Sequence, residues 1–193
     1  MKVLHFKTNY LNLSEIFINR LVHNHQQFDP VIGTCNPLYY TEDVNLYAMP
    51  DNGFSGFWNN LQLKLNQTPA FLYDVVEKEQ PDLIHGHFGL DCYRLIGLKK
   101  ATQLPFIVNF YGYDVLRLPK EFGWKSRYKR LSNFGDLYFV GSADMKENVA
   151  DLGFPKDKIR VLKLGMNLDE IRFEQRQSAG QKLMMVGRMV EKK

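Results

Sequence analysis

Two groups of side chains capable of chemistry punctuate the middle of the sequence. His85, Gly86 and His87 close one short apolar segment, Leu83–His85, and Tyr111, Gly112, Tyr113 and Asp114 follow a second, Phe106–Phe110. Imidazoles move protons or hold metals near neutral pH, a phenol and a carboxylate can address hydroxyls, and glycines let the backbone approach a ligand closely. His85 and His87 alternate along an extended chain, so both can face one side and hold an ion. No third ligand stands near them in the sequence, so no metal is expected; His87 is assigned to a cleft and His85 to the core. Asp114 either lines that cleft or caps the segment that follows it. Glu15 either meets a ligand from the first loop or completes a capping box with Asn12.

The elements that must position these groups follow from periodicity. The stretch between the two apolar segments is about one helix long, the crossover that parallel strands need. Val3–Phe6 predicts a first strand, and Leu13, Phe17 and Leu21 at i, i+4 and i+8 mark one face of a helix. Val31–Thr34 and Asn45–Met49 read as strands, the latter closed by a turn at Pro50-Asp51-Asn52-Gly53. Phe57–Gln80 is helical with a break near Thr68-Pro69, and Leu137–Val140 and Ile159–Leu164 are further strands. Ser142 is placed to cap a helix bearing Met145, Val149 and Leu152, or to present that helix's N-terminus to a phosphate. Gly153 and Pro155 end it. Alternating strands and helices predict a doubly wound, mostly parallel α/β sheet, which binds ligands beyond the carboxyl ends of its strands. From Leu168 to Gln181 the pattern turns polar, and Lys182–Gly187 opens a fresh strand.

Composition narrows the partners. A net charge of +4 permits anionic ligands but is too small and too diffuse for a nucleic-acid binder. No G-x-G-x-x-G follows the first strand, which argues against a nicotinamide-dependent oxidoreductase. Cys35 and Cys92 form no C-x-x-C pair and suit a reducing compartment. The N-terminal apolar run is too short for a signal peptide and no stretch is long enough to span a bilayer, so a cytoplasmic protein is expected. Within residues 120–131 a stripe of Trp124, Tyr128 and Leu131 is set among Lys125, Lys129 and Arg130. Such a stripe packs on a core or, with its basic flanks, touches an anionic membrane peripherally.

Five segments in order carry a family resemblance. Ser14-Glu15-Ile16-Phe17-Ile18 resembles the Ser-Glu-Thr-Phe-Ile segment of family 4 glycosyltransferases, and His85-Gly86-His87-Phe88-Gly89 resembles their His-x-His-Phe-Gly loop. Asn109-Phe110-Tyr111-Gly112-Tyr113-Asp114 is similar to their Phe-His-Gly-Tyr-Asp segment. Ser142 through Gly153-Phe154-Pro155 and Lys158-Ile159 looks like a fourth family pattern, and Val186-Gly187-Arg188-Met189-Val190-Glu191-Lys192-Lys193 like the start of the donor-binding domain.

The resemblance implies a GT-B fold of two facing Rossmann-like domains. Residues 1–167 would be the N-terminal, acceptor-side domain, 168–181 a linker, and 182–193 the start of a truncated donor-binding domain. It implies a retaining, metal-independent transfer of a sugar from a nucleoside-diphosphate donor to a hydroxyl of a saccharide or lipid-linked acceptor. No cofactor is implied, and the setting would be bacterial polysaccharide or glycolipid synthesis. Ser14, Glu15, His87, Phe88, Tyr111, Gly112 and Asp114 would line the acceptor side. Arg188 and Lys193 would face the donor diphosphate, where fixed cations stabilise a departing anion. The family's two-glutamate motif would lie beyond Lys193, so the catalytic residues are unassigned and residues 1–193 alone are expected to be inactive. Tyr111 stands where many members carry a histidine, which removes any imidazole role there. The alternative is a non-catalytic Rossmann-like module that binds a sugar or an anionic lipid.

Overall fold

A computed structural model describes residues 1–10, 15–24, 27–38 and 45–165, with single positions at 168, 173, 175 and 185. The expected linker and the strand at Lys182–Gly187 therefore lie outside the described residues. Seven strands form one parallel sheet: β1 (Lys2–Tyr10), β2 (Asp29–Pro37), β3 (Asn45–Ala48), β4 (Leu83–His87), β5 (Phe106–Asn109), β6 (Leu137–Val140) and β7 (Ile159–Val161). Their spatial order is β3-β2-β1-β4-β5-β6-β7, and every adjacent pair is parallel. This is the doubly wound, Rossmann-like α/β architecture expected from the alternation of strands and helices. The chain winds outward in both directions from the centre, so the direction of winding reverses between β1 and β4.

Each face of the sheet has its own core because side chains alternate along a strand. On one face, Leu4, Phe6, Ile84, Phe106 and Val108 pack with helices α3 (Phe71–Glu79), α4 (Gly89–Arg94), α5 (Ile96–Thr102), α7 (Trp124–Leu131) and α8 (Ala143–Asp151). On the other, α1 (Ile16–His23) lays Ile18 and Val22 against Tyr10 and Ile32. The buried face of α1 is thus turned one residue from the Phe17/Leu21 line, and Phe17 packs at its margin. Two more helices, α2 (Gly53–Lys64) and the single turn α6 (Tyr113–Leu116), complete the set among the described residues.

Other local expectations hold or shift for evident reasons. The Ser142 hydroxyl accepts the amide of Met145 at 3.2 Å, capping α8, and Gly153 follows it with φ of 97°. The helical run read as beginning at Phe57 begins at Gly53, after Asn52, so the expected turn leads directly into α2. β1 extends past Phe6 through polar Lys7, Thr8 and Asn9, because β2 keeps pairing with it as far as Tyr10↔Pro37. The aromatic stripe of α7 is core: Trp124, Tyr128 and Leu131 are buried while Lys125, Lys129 and Arg130 face solvent. No described helix is long and apolar enough to cross a membrane.

Candidate functional site

β1 and β4 pair only as far as Phe6↔Gly86, four residues short of where β1 and β2 stop at Tyr10. The sheet therefore splays at its carboxyl end where the winding reverses, the place at which such folds bind ligands. A cleft of about 760 Å³ opens there, walled by Lys7–Asn9 of β1, Glu15 and Phe17 before and in α1, Phe88, Leu90, Asp91 and Arg94 at α4, and Tyr111–Asp114 after β5.

The floor is a knot of charge. Asp91, buried, accepts hydrogen bonds from the Thr8 amide (3.2 Å), the Thr8 hydroxyl, the Lys7 ammonium (3.1 Å) and the Arg94 guanidinium (3.1 Å). Arg94 also donates to the Thr8 hydroxyl at 2.8 Å. Lys7 lies 4.4 Å over the Phe88 ring and 3.5 Å from Oε2 of Glu15. That Glu15 oxygen is buried and accepts no hydrogen bond from the described residues. Lys7, Thr8, Asp91 and Arg94 were not singled out from the sequence; the one available signal was Asp91 and Arg94 at i, i+3 on a helix. α1 starts at Ile16 with no side-chain cap among the described residues, and the expected pairing of Glu15 with Asn12 falls outside them. Asn12 and Ser14 lie outside the described residues.

The wall after β5 is held by Asp114. Its carboxylate is buried and accepts the amides of Gly89 (3.0 Å) and Tyr111 (2.9 Å), so one side chain ties the β4–α4 loop to the β5–α6 loop. Burial pushes the carboxyl up to about 6, against the opposing pull of the backbone amides around it. Both loops use unusual backbone: Phe88 has φ of 70° and Gly112 φ of 111°. A non-glycine residue in that region is strained by about 1–3 kcal/mol, a cost that gathers at binding sites.

Tyr111 presents its ring to the cleft, packed 4.9 Å from Phe17 and 4.7 Å from Phe88. Burial drives its phenol well above the usual tyrosine range, so it stays neutral. Behind it stands His87, which is fully buried; it reaches the cleft only through the 2.8 Å hydrogen bond between its Nδ1 and the Tyr111 hydroxyl. His85 is buried as expected. A third imidazole joins them: His5 of β1 sits opposite His85 in register, with Nδ1 3.0 Å from Nε2 of His87. Sequence reasoning missed it because nothing in chain order makes β1 the neighbour of β4. Arg188 and Lys193 lie outside the described residues.

A parallel sheet with a ligand-sized opening at its winding reversal defines the class: a Rossmann-like α/β fold that binds at the carboxyl ends of its strands. The sequence profile of Glycosyltransferase Family 4 matches residues 21–170, and the chain belongs to that family. No curated protein matches the sequence. Among solved structures, HepE of Anabaena in complex with UDP and glucose superposes with a TM-score of 0.65 at 13% identity, over 88% of this chain and 46% of that one. The lipopolysaccharide outer core galactosyltransferase WaaB gives 0.59 at 11% identity, over 84% and 45%. The UDP-GlcNAc 2-epimerase of Neisseria meningitidis bound to UDP-GlcNAc gives 0.53 at 15% identity, over 83% and 45%. The chain thus spans less than half the length of these proteins, and at such identities the likeness is one of fold.

Proposed function

We propose that this chain is the acceptor-side half of a retaining glycosyltransferase that moves a sugar from a nucleoside-diphosphate donor to a hydroxyl of a saccharide or lipid-linked acceptor. The observation that carries this reading is the open cleft at the splayed end of the sheet, in a chain belonging to Glycosyltransferase Family 4. UDP and glucose bound to HepE, and UDP-GlcNAc bound to the 2-epimerase, support a nucleotide-sugar donor. The setting is bacterial polysaccharide or glycolipid synthesis, and the transfer itself calls on no resident cofactor.

The chain's own residues are suited to an acceptor. The Glu15 oxygen that accepts no hydrogen bond from the described residues offers a place for an acceptor hydroxyl, with the Lys7 ammonium 3.5 Å away on the same wall. Tyr111, neutral and flanked by Phe17 and Phe88, gives a sugar ring an aromatic surface and one hydroxyl contact. The cleft mixes Lys7, Arg94 and Arg117 with Glu15, Asp91 and Asp114, which suits a polyhydroxylated ligand better than a strongly anionic one. The donor diphosphate is assigned to Arg188 and Lys193 and to a facing wall, so residues 1–193 hold acceptor without transferring.

The test measures transfer from donor to acceptor by residues 1–193 and by a two-domain chain that contains them. The two-domain chain is expected to transfer and residues 1–193 to bind acceptor only; robust turnover by residues 1–193 overturns the division of labour. Glu15→Gln in the two-domain chain is expected to raise the acceptor KM about 10- to 100-fold, the weight of a charged hydrogen bond. An unchanged acceptor KM removes Glu15 from the site.

A further inference from the structure

We propose that His5, His85 and His87 form a binding site for one zinc-class divalent ion, set beneath the cleft and separate from the transfer chemistry. All three imidazoles are buried, and each offers a ring nitrogen so placed that the three lie within 4.8 Å of one another. They stand on two adjacent strands, with His5 opposite His85 in register and His87 two residues further along β4. Their rings are 5.0, 5.3 and 4.5 Å apart, centre to centre. The positions are therefore fixed by strand backbone and leave only side-chain rotation to complete a site.

The spacing is close to what an ion needs. Two nitrogens on one tetrahedral zinc, each about 2.0–2.1 Å from the metal, stand roughly 3.3 Å apart. His5 Nδ1 and His87 Nε2 are 3.0 Å apart, so a small opening of that pair admits an ion, and a turn of His85 brings the third donor. Three imidazole nitrogens as donors favour zinc or a late transition ion over magnesium or calcium. The outer partner is also present. His87 turns its other nitrogen to the Tyr111 hydroxyl at 2.8 Å, the kind of contact that orients a metal-bound imidazole. The fourth position falls to a water or to Asn109, which pairs with His87 in register, is 3% exposed, and has a carbonyl oxygen with no hydrogen bond among the described residues.

An ion on Nε2 of His87 leaves the proton on Nδ1. That N–H then donates to Tyr111, whose own hydroxyl proton becomes available to the cleft. Occupancy would thus set the direction of the one hydrogen bond that Tyr111 offers a ligand.

Because the site is buried, the test loads it during folding. The 193-residue chain is refolded with zinc or cobalt, freed of loosely held ion with a chelator, and assayed for metal content and for the visible absorption of tetrahedral cobalt. One ion per chain and a tetrahedral spectrum are expected, with retention falling at least tenfold in His5→Ala and in the shape-conserving His85→Asn. A double change at two histidines outside the proposed ligand set, His23→Ala with His25→Ala, is expected to leave retention unchanged. No retained metal in the wild-type chain, an octahedral cobalt spectrum, or loss of retention only in the His23/His25 variant overturns the proposal. Metal content and spectrum are read without any transfer assay, so the result stands apart from the fate of the proposed function.

Discussion

Asp114 does two things that a carboxylate seldom does together: it is buried, and it is surrounded by amides rather than cations. The amides favour its charged form and burial favours the neutral one, and burial wins, placing the group at about 6 against an ordinary 3.8. The sign for stability follows directly. A carboxyl raised in the folded state binds its proton more tightly there than in the unfolded chain. Its contribution is present below pH 4 and is lost as pH rises through about 6. Asp114→Asn removes this dependence. The stability of the wild-type chain relative to Asp114→Asn is expected to fall by about 2 kcal/mol between pH 4 and pH 6.5, measured by urea denaturation across that range. A flat difference would show that the carboxyl titrates normally.

At the scale of elements, the two loops that carry the cleft are held by α4 and α7 rather than by their own sequence. Gly89 opens α4 where the Tyr128 ring of α7 crosses it, and a Cβ there would stand 2.2 Å from the Tyr128 hydroxyl. Tyr128 has no room to yield, being fully buried with its hydroxyl donating to the Asp114 carbonyl at 2.6 Å. Gly89→Ala is therefore expected to destabilise the fold by about 1–3 kcal/mol, the usual range for overpacking, and to loosen the Asp114 loop. Thermal unfolding with near-UV circular dichroism on the tyrosines checks both.

The same elements show what the sequence can and cannot disclose. Strands β4, β5 and β6 and the Ser142 cap were legible because apolar runs and capping residues are local signals. Tyr111, Gly112 and Asp114 could be placed at the opening because strand ends in a doubly wound sheet face it, whereas Glu15 stayed open between the cleft and a helix cap. Asp91 with Lys7, and His5 with His87, were not, because each pair joins side chains more than 80 residues apart. Such pairings exist only once β1 and β4 are known to be neighbours. The face of α1 was misjudged by one residue because Phe17 and Leu21 are as apolar as the Ile18 and Val22 that the sheet selects.

At the scale of the whole molecule, charge and apolar surface are unevenly spread. On α7 the aromatics are inward and Lys125, Lys129 and Arg130 outward, next to a Phe122 that is entirely exposed. Peripheral attachment through residues 120–131, as we propose it, would rest on basic residues and one aromatic, each cation contributing about 1 kcal/mol at an anionic surface. Co-sedimentation with anionic vesicles at low salt is expected. Changing Lys125, Lys129 and Arg130 together to Glu should weaken it at least tenfold, whereas Phe122→Ala alone should have the smaller effect. Absence of sedimentation at low salt would end the idea of a membrane-facing surface here.

The carboxylate of Asp91 takes the Thr8 amide on the flank where β4 has stopped pairing with β1, and so acts as a plug at the top of the seam between the two strands. How deep the opening runs is then decided by how many residues separate the end of β4 from the start of α4. One residue more in that connection would withdraw the plug from Thr8 and let the seam zip further; one fewer would drive it down and prise the strands apart. The size of molecule this half-fold can admit is in that sense a matter of loop arithmetic, set at Phe88, before any side chain has a say.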